Sequence, residues 1–365
     1  MATPYLTIDL DAIEANARAV VDLCAEQGIV AAGVTKGVCG HAEVAKAMLR
    51  GGVVTIADSR LANLRRLRAA GIGAPMLLLR VPALSAAAEV IEVADISLNS
   101  ELVVLEALSD AALTRGAVHE VVIMVDLGDL REGVWLDDVV PFVGEALRLP
   151  GIRVIGLGTN LACFGGVVPT ADNMKQLAVL AGEVETVHDV VLRWISGINS
   201  SGFDLIATGA MPARVNHARI GEAILLGRET THRKPWPGTR QDAFILHAEV
   251  LELKTKPSVP VGKRAEDAFG RMPDFEDRGE IVRALLNLGR EDVDVAGLTP
   301  SERPITILGA SSGYLVIDVG EVAADLHVGD EIAFFPSYGS LVAAMTSEYV
   351  EKRLLRGGQP VEEGA

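Results

Sequence analysis

Cysteine is scarce in this chain of 365 residues: Cys24, Cys39 and Cys163 are the only three. An odd number without paired spacing excludes a disulfide framework and a thiolate zinc site, and it points to a reducing, cytoplasmic setting. Basic residues are outnumbered, 33 Lys and Arg against 49 Asp and Glu. The resulting net charge of -16 argues against nucleic acid or an anionic membrane surface as a partner, because both reward a basic patch. No basic-then-apolar leader is expected, since Met1 to Leu10 already reads as a strand with acidic residues. Uninterrupted apolar runs of membrane-spanning length are missing. So are glycine-rich phosphate fingerprints of the GxGxxG or Walker type.

What is present is a 49% apolar, 22% charged composition, ordinary for a globular protein. The length favours one large domain plus a smaller one. The stretch Gly28 to His41 reads as a short buried strand that ends in Lys36 and turns through glycines into a helix over 42–50. Before it, Asp11 is placed to cap a helix, with Glu14 at the capping-box position and Ile13, Ala17, Val20 and Val21 as its apolar stripe. Eight strand patterns then alternate with helices: 30–35, 53–57, 76–80, 94–98, 121–125, 152–158, 192–196 and 218–226. Eight βα units in about 200 residues suit a closed (β/α)8 TIM barrel better than an open sheet. Arg233-Lys234-Pro235-Trp236-Pro237-Gly238 reads as a linker. Beyond it, short alternating runs separated by turn signals predict a mostly β domain. The expected division is a barrel over 1–235 and a β domain over 236–365, with a polar tail from Gly357; the first strand is the one segment that can join either.

Functional residues of a barrel collect at the C-terminal ends of its strands. Those ends carry Lys36, then Asp58, Arg80, Asn99, the run Asp126 to Gly133, Thr159 to Cys163, Ser196 to Gly202, and Arg219 to Glu222. A desolvated lysine at a strand end supplies the free amine that a Schiff base needs. Its alternative is a lysine whose stem packs while its head reaches water. The Gly/Ser/Asn loop after the seventh barrel strand, with a glycine near the eighth, offers backbone N–H groups and hydroxyls to a phosphate. Its alternative is a plain small-residue turn.

Together these segments resemble the fold-type III pyridoxal phosphate (PLP) enzymes, the alanine racemase-like group, and most of all its alanine/ornithine racemase branch. Val34-Thr35-Lys36-Gly37 is similar to the PLP-lysine segment, Met124 to Gly133 to the segment carrying Asp, Gly and Arg, and Asn199-Ser200-Ser201 with Arg219-Ile220-Gly221 to the phosphate and pyridine-nitrogen segments. Gly309-Ala310-Ser311-Ser312 and the run from Gly339 to Glu351 resemble the ornithine racemase branch. The resemblance implies that Lys36 holds PLP and acts as one Cα base, and that Arg131 contacts the phenolic oxygen or the substrate carboxylate. It further implies that Arg219 faces the pyridine nitrogen, and that Ser200, Ser201, Gly221 and Glu222 hold the phosphate. Asn160 lines the cofactor site where the family has a histidine, and Ser311 and Ser312 fall to the substrate. Metal ligands are not implied. Because groups of the second domain complete a neighbour's site in this family, a head-to-tail homodimer is expected.

Two departures bear on mechanism. Phe269 stands where the family's tyrosine base belongs, and phenylalanine moves no proton. The chain has four tyrosines, Tyr5, Tyr314, Tyr338 and Tyr349. The second base is therefore sought first in Asp267, which shares a face with Phe269 if that piece is extended, and in Tyr338, with Cys163 as a third option. The expected reaction is racemisation of ornithine or another small or basic amino acid. The alternatives are decarboxylation, D-amino acid aldolase or dehydratase chemistry, or a non-catalytic PLP-homeostasis role. Metal-dependent members need a His/Cys pair in the second domain, where this chain has His247 and His327 and no cysteine.

Overall fold

The computed structural model describes residues 4–301 and 304–361. The chain divides into two compact units: one runs from Leu10 to Gln241, and the other joins the N-terminal residues up to Asp9 to the chain from Asp242 onward.

The first unit is a closed parallel barrel. Its strands are β2 (Val30–Val34), β3 (Thr55–Asp58), β4 (Met76–Leu78), β5 (Ile96–Asn99), β6 (His119–Met124), β7 (Ile152–Gly158), β8 (Trp194–Ile198) and β9 (His217–Ile220). Closure comes from β9 pairing back onto β2, with Gly33 opposite Ile220. The helices are α1 (Leu10–Ala25), α2 (Ala42–Arg50), α3 (Leu61–Ala69), α4 (Ala87–Val93), α5 (Leu102–Thr114), α6 (Val139–Ala146), α7 (Ala171–His188), α8 (Phe203–Ala207) and α9 (Glu222–Leu226). Inward side chains fill the barrel in a tight apolar cluster that includes Val34, Leu77, Leu98, Val122 and Ile155. Such a barrel is a packed core, so chemistry is left to its rim.

Two local readings change. Helix α1 begins at Leu10, directly after the first strand, so Asp11 sits in its first turn and Glu14 is spent on Arg18 and Arg50 rather than on a capping box. The eighth barrel strand ends at Ile220 instead of running to Leu226. Gly221 turns the chain and the apolar residues after it form α9, because a buried apolar run does not itself tell strand from helix.

The second unit is a nine-stranded sheet. Strand β1 (Tyr5–Asp9) lies inside it, antiparallel to β10 (Phe244–Pro257) and parallel to β16 (Glu351–Arg356). The others are β11 (Glu280–Leu286), β12 (Leu298–Pro300), β13 (Thr306–Ala310), β14 (Leu315–Asp318), β15 (Glu331–Pro336) and β17 (Gln359–Val361), with one helix, α10 (Tyr338–Thr346). The expected polar tail from Gly357 begins instead as a hairpin up to Val361, and residues 362–365 of it lie outside the described residues. Gly357 and Gly358 both take positive φ, 57° and 71°, between β16 and β17. That two-residue Gly-Gly connection is one that a right-twisted hairpin favours.

Candidate active site

The barrel rim gathers most of the residues singled out above. Lys36 follows β2 directly, in a short 3-10 turn. Thr35 before it is anchored from below: its N–H bonds the carbonyl of Ala57 at 2.9 Å, and its hydroxyl bonds the Asp58 carboxylate at 2.8 Å. Asp58 is fully buried and also accepts from Asn63 and from the Arg60 N–H. Burial raises its carboxyl while these donors pull the other way. The turn that presents Lys36 is thus fixed by a buried polar group rather than by packing alone.

Lys36 lines a cavity of about 320 Å³ with Ser59, Arg80, Arg131 and Glu132, against an apolar wall of Leu79 and Val81. Arg131 donates from Nε and Nη2 to the two carboxylate oxygens of Glu132, and from Nη1 to Cys163 Sγ at 2.6 Å. Its neighbouring carboxylate raises the Arg131 guanidinium above its usual range. The loop holding Cys163 is tied to the same turn, because Asp129 accepts from the N–H groups of Phe164 and Val167.

Deeper in the barrel, Arg219 on β9 is buried and donates to the carbonyls of Ser196 (2.9 Å) and Thr159 (2.5 Å) and to Ser196 Oγ. Burial lowers it to about 10, with the Glu132 carboxylate opposing, so it remains a cation at neutral pH. Asn199 is the hinge of the next loop. Its amide donates to the carbonyl of Leu161 at 2.9 Å, and its Oδ1 accepts from the N–H and hydroxyl of Ser201. Ser200 Oγ accepts from the N–H of Ala223, joining this loop to the start of α9. Gly221 sits close to β2: a Cβ there would come within 3.2 Å of Val34 Cβ, so a larger residue would need Val34 to give way. Glu222 pairs with Arg233 at 3.0 Å, and burial raises its carboxyl. Two polar atoms at this rim, Thr159 Oγ1 and Asn160 Nδ2, are buried without a partner among the described residues. Unsatisfied buried polar atoms are uncommon, and here they mark a place where a polar ligand fits.

A family model described as "Alanine racemase, N-terminal domain" matches residues 8–229. The chain belongs to that family. Ornithine racemase of Acetoanaerobium sticklandii is 41% identical over 353 residues, covering 96% of this chain and 99% of that one. Lysine racemase of Thermotoga maritima is 38% identical, covering 96% and 98%. Among solved structures, alanine racemase of Clostridium difficile 630 aligns with a TM-score of 0.76 at 19% identity, over 99% of this chain and 98% of that one, which shows a shared fold. PLP is the cofactor of this racemase family. The rim fits it on its own terms. A primary amine stands at one place and a turn of small hydroxyl residues at another. A permanent cation lies within the barrel, and unpartnered polar atoms remain between them.

The residues sought for the second base lie in the racemase's β-rich unit. Asp267 is half-buried, and its segment is a tight turn rather than an extended piece: its N–H bonds the carbonyl of Arg271, and its Oδ1 accepts from the N–H groups of Phe269 and Arg271. It therefore does not share a strand face with Phe269. Those bonds hold its carboxyl below the usual range. Phe269 is itself partly exposed, with the Arg290 guanidinium 4.3 Å over its ring. Tyr338 is half-buried at the first position of α10, behind the Ser337 cap. Ser311 and Ser312 form the turn between β13 and β14 and are exposed, their carbonyls accepting from the N–H groups of Arg290 and Glu291. Among the described residues, no group of three or more His, Cys, Asp or Glu is placed to hold a metal, and no helix is long and apolar enough to cross a membrane. Sequence reasoning placed Asp58 and Glu132 at strand ends but gave them no role, and it passed over His217. Each acts on a residue it had found, and the signal available for Glu132 was only its place beside Arg131.

Proposed function

We propose that this chain is a PLP-dependent amino acid racemase that acts on ornithine or a related basic amino acid. The observation that carries the reading is the placement of Lys36, at the end of β2, in one cavity with Arg131 and Glu132. The names of the two relatives above, matched over nearly their full length, support the substrate class. Bound PLP supplies an electron-withdrawing ring that makes a Cα proton acidic. Lys36 holds the cofactor and moves the Cα proton on one face. Ser200, Ser201 and Gly221 hold its phosphate, with Glu222 bracing that turn through its ion pair with Arg233. Arg219, bonded on three sides and charged at neutral pH, would face the pyridine nitrogen and leave it without a proton, a setting that would favour return of the Cα proton over bond-breaking side reactions. Arg131 would hold the cofactor's phenolic oxygen, and Asn160 Nδ2 would offer the cofactor a donor that has no partner among the described residues.

On the opposite face the second proton comes from the β-rich unit of a neighbouring copy, in a head-to-tail homodimer. Tyr338 is assigned that role because its phenol carries a proton it can deliver, with Asp267, which accepts from two backbone N–H groups, as the other candidate. Ser311 and Ser312 belong to the same substrate-facing side in this reading.

The test is turnover of L-ornithine, L-lysine and L-alanine in heavy water, with borohydride reduction followed by peptide mapping. Loss of optical rotation with deuterium at Cα, and a label on Lys36 that Lys36→Ala abolishes, is the expected result. Rotation lost without deuterium, or a label on another side chain, overturns the reading.

A further inference from the structure

The cavity beside Lys36 holds three cationic side chains, Lys36, Arg80 and Arg131, against a single carboxylate, Glu132. The carboxylate is already used: both of its oxygens accept from Arg131, whose remaining bond goes to Cys163. Lys36 is reserved for the cofactor in this reading. Arg80 is left, and among the described residues its guanidinium makes no hydrogen bond and no ion pair. The backbone that presents it is well held, since the N–H of Leu79 bonds the carbonyl of Asp58 at 2.8 Å. An exposed guanidinium with an open fork at a cavity wall is a receptor for a carboxylate, which it meets with two parallel bonds. The cofactor phosphate does not compete for this place. The small-residue turn that suits it follows β8 and faces α9, and β8 and β9 lie on one side of β2, whereas Arg80 follows β4 on the other.

We propose that Arg80 binds the α-carboxylate of the amino acid substrate, while Arg131 stays paired with Glu132 and serves the cofactor. The proposal rests on the racemase reading, and it separates two duties that the resemblance gave to Arg131 together. It also bears on selectivity. An unpaired cation near the α-carboxylate repels a distal ammonium that folds back, so a basic substrate must extend its side chain away from β4.

The experiment uses the PLP-loaded enzyme with Arg80→Met and Arg80→Lys, their folds checked by near-UV circular dichroism. Propionate and propionamide, equal in shape and unequal in charge, are titrated calorimetrically, and kcat and KM are measured for L-ornithine. In Arg80→Met, propionate is expected to weaken about tenfold with propionamide unchanged, and KM to rise by a like factor with kcat altered less. Arg80→Lys recovers part of the loss. Propionate binding that is unchanged in Arg80→Met, that falls together with propionamide, or that is no tighter than propionamide in the unmodified enzyme overturns the proposal. A wild-type protein that racemises no amino acid overturns the racemase reading instead, and the contrast between the two probes still decides whether Arg80 receives a carboxylate.

Discussion

His217 Nδ1 lies 2.7 Å from Ser196 Oγ inside the barrel, and the same hydroxyl oxygen accepts from Arg219. An arginine only donates, so this serine oxygen spends one lone pair on Arg219 and meets the imidazole with what is left, its proton or its second lone pair. A second pair repeats the logic: Asn99 donates to Ser97 Oγ at 2.9 Å, and Ser97 Oγ sits 2.8 Å from His119 Nε2. Burial in the barrel keeps both histidines neutral at neutral pH. Each braces a serine, and in one case that serine braces Arg219.

Acid should expose this. Burial lowers His217 to about 3, with Arg219 and Arg193 adding to the effect, and lowers His119 to about 4. In the unfolded chain both titrate near 6.5, so between about 6.5 and 4 the unfolded state binds more protons and stability falls as pH falls. Each histidine contributes a slope approaching about 1.4 kcal/mol per pH unit in that window. Urea unfolding at pH 7, 6 and 5 is the measurement. His217→Gln and His119→Gln are expected to flatten the dependence; a slope unchanged in both variants would show that the imidazoles do not stay neutral.

The β-rich unit offers a sharper contrast. Tyr338→Phe is expected to lower kcat for racemisation by about a hundredfold or more, the usual worth of a positioned proton donor. Asp267→Asn, which keeps the turn's shape but weakens its two N–H bonds, should stay within a few-fold of the parent. Proton exchange at Cα in heavy water, followed separately for the two enantiomers, reads which face has lost its base. Equal losses in both variants would move the second base elsewhere.

Gly133 tests how tightly the Arg131 turn is built. Its φ is 143°, and a Cβ there would fall 2.3 Å from the backbone N of Asp126. Gly133→Ala should destabilise the protein by about 1–3 kcal/mol and loosen PLP binding, because the strand end that carries Arg131 must shift. Thermal melts and a PLP titration of the apoprotein check both parts. Unchanged values would mean that the turn is softer than its contacts indicate.

Much of this was legible along the chain. Eight buried runs separated by amphipathic helices fix a barrel, because period and burial are local properties of sequence. Lys36, Arg131 and Arg219 were visible as polar residues at the ends of such runs. The shape of the 267–271 turn was not, since Asp267 accepts from N–H groups two and four residues on, a choice between turn and strand that composition leaves open. Nor was the parallel pairing of β1 with β16, whose partners stand more than three hundred residues apart in sequence.

What the sequence determined by itself is the order of elements and the identity of the reactive groups, because hydrophobic period and turn residues act over a few positions. The tertiary structure alone decided which charges are spent and which are idle. Glu132 is consumed by Arg131, Arg80 is left open, and His217 is held neutral beside Arg219. Electrostatic pairing depends on distance and burial in space, and neither can be counted in residues.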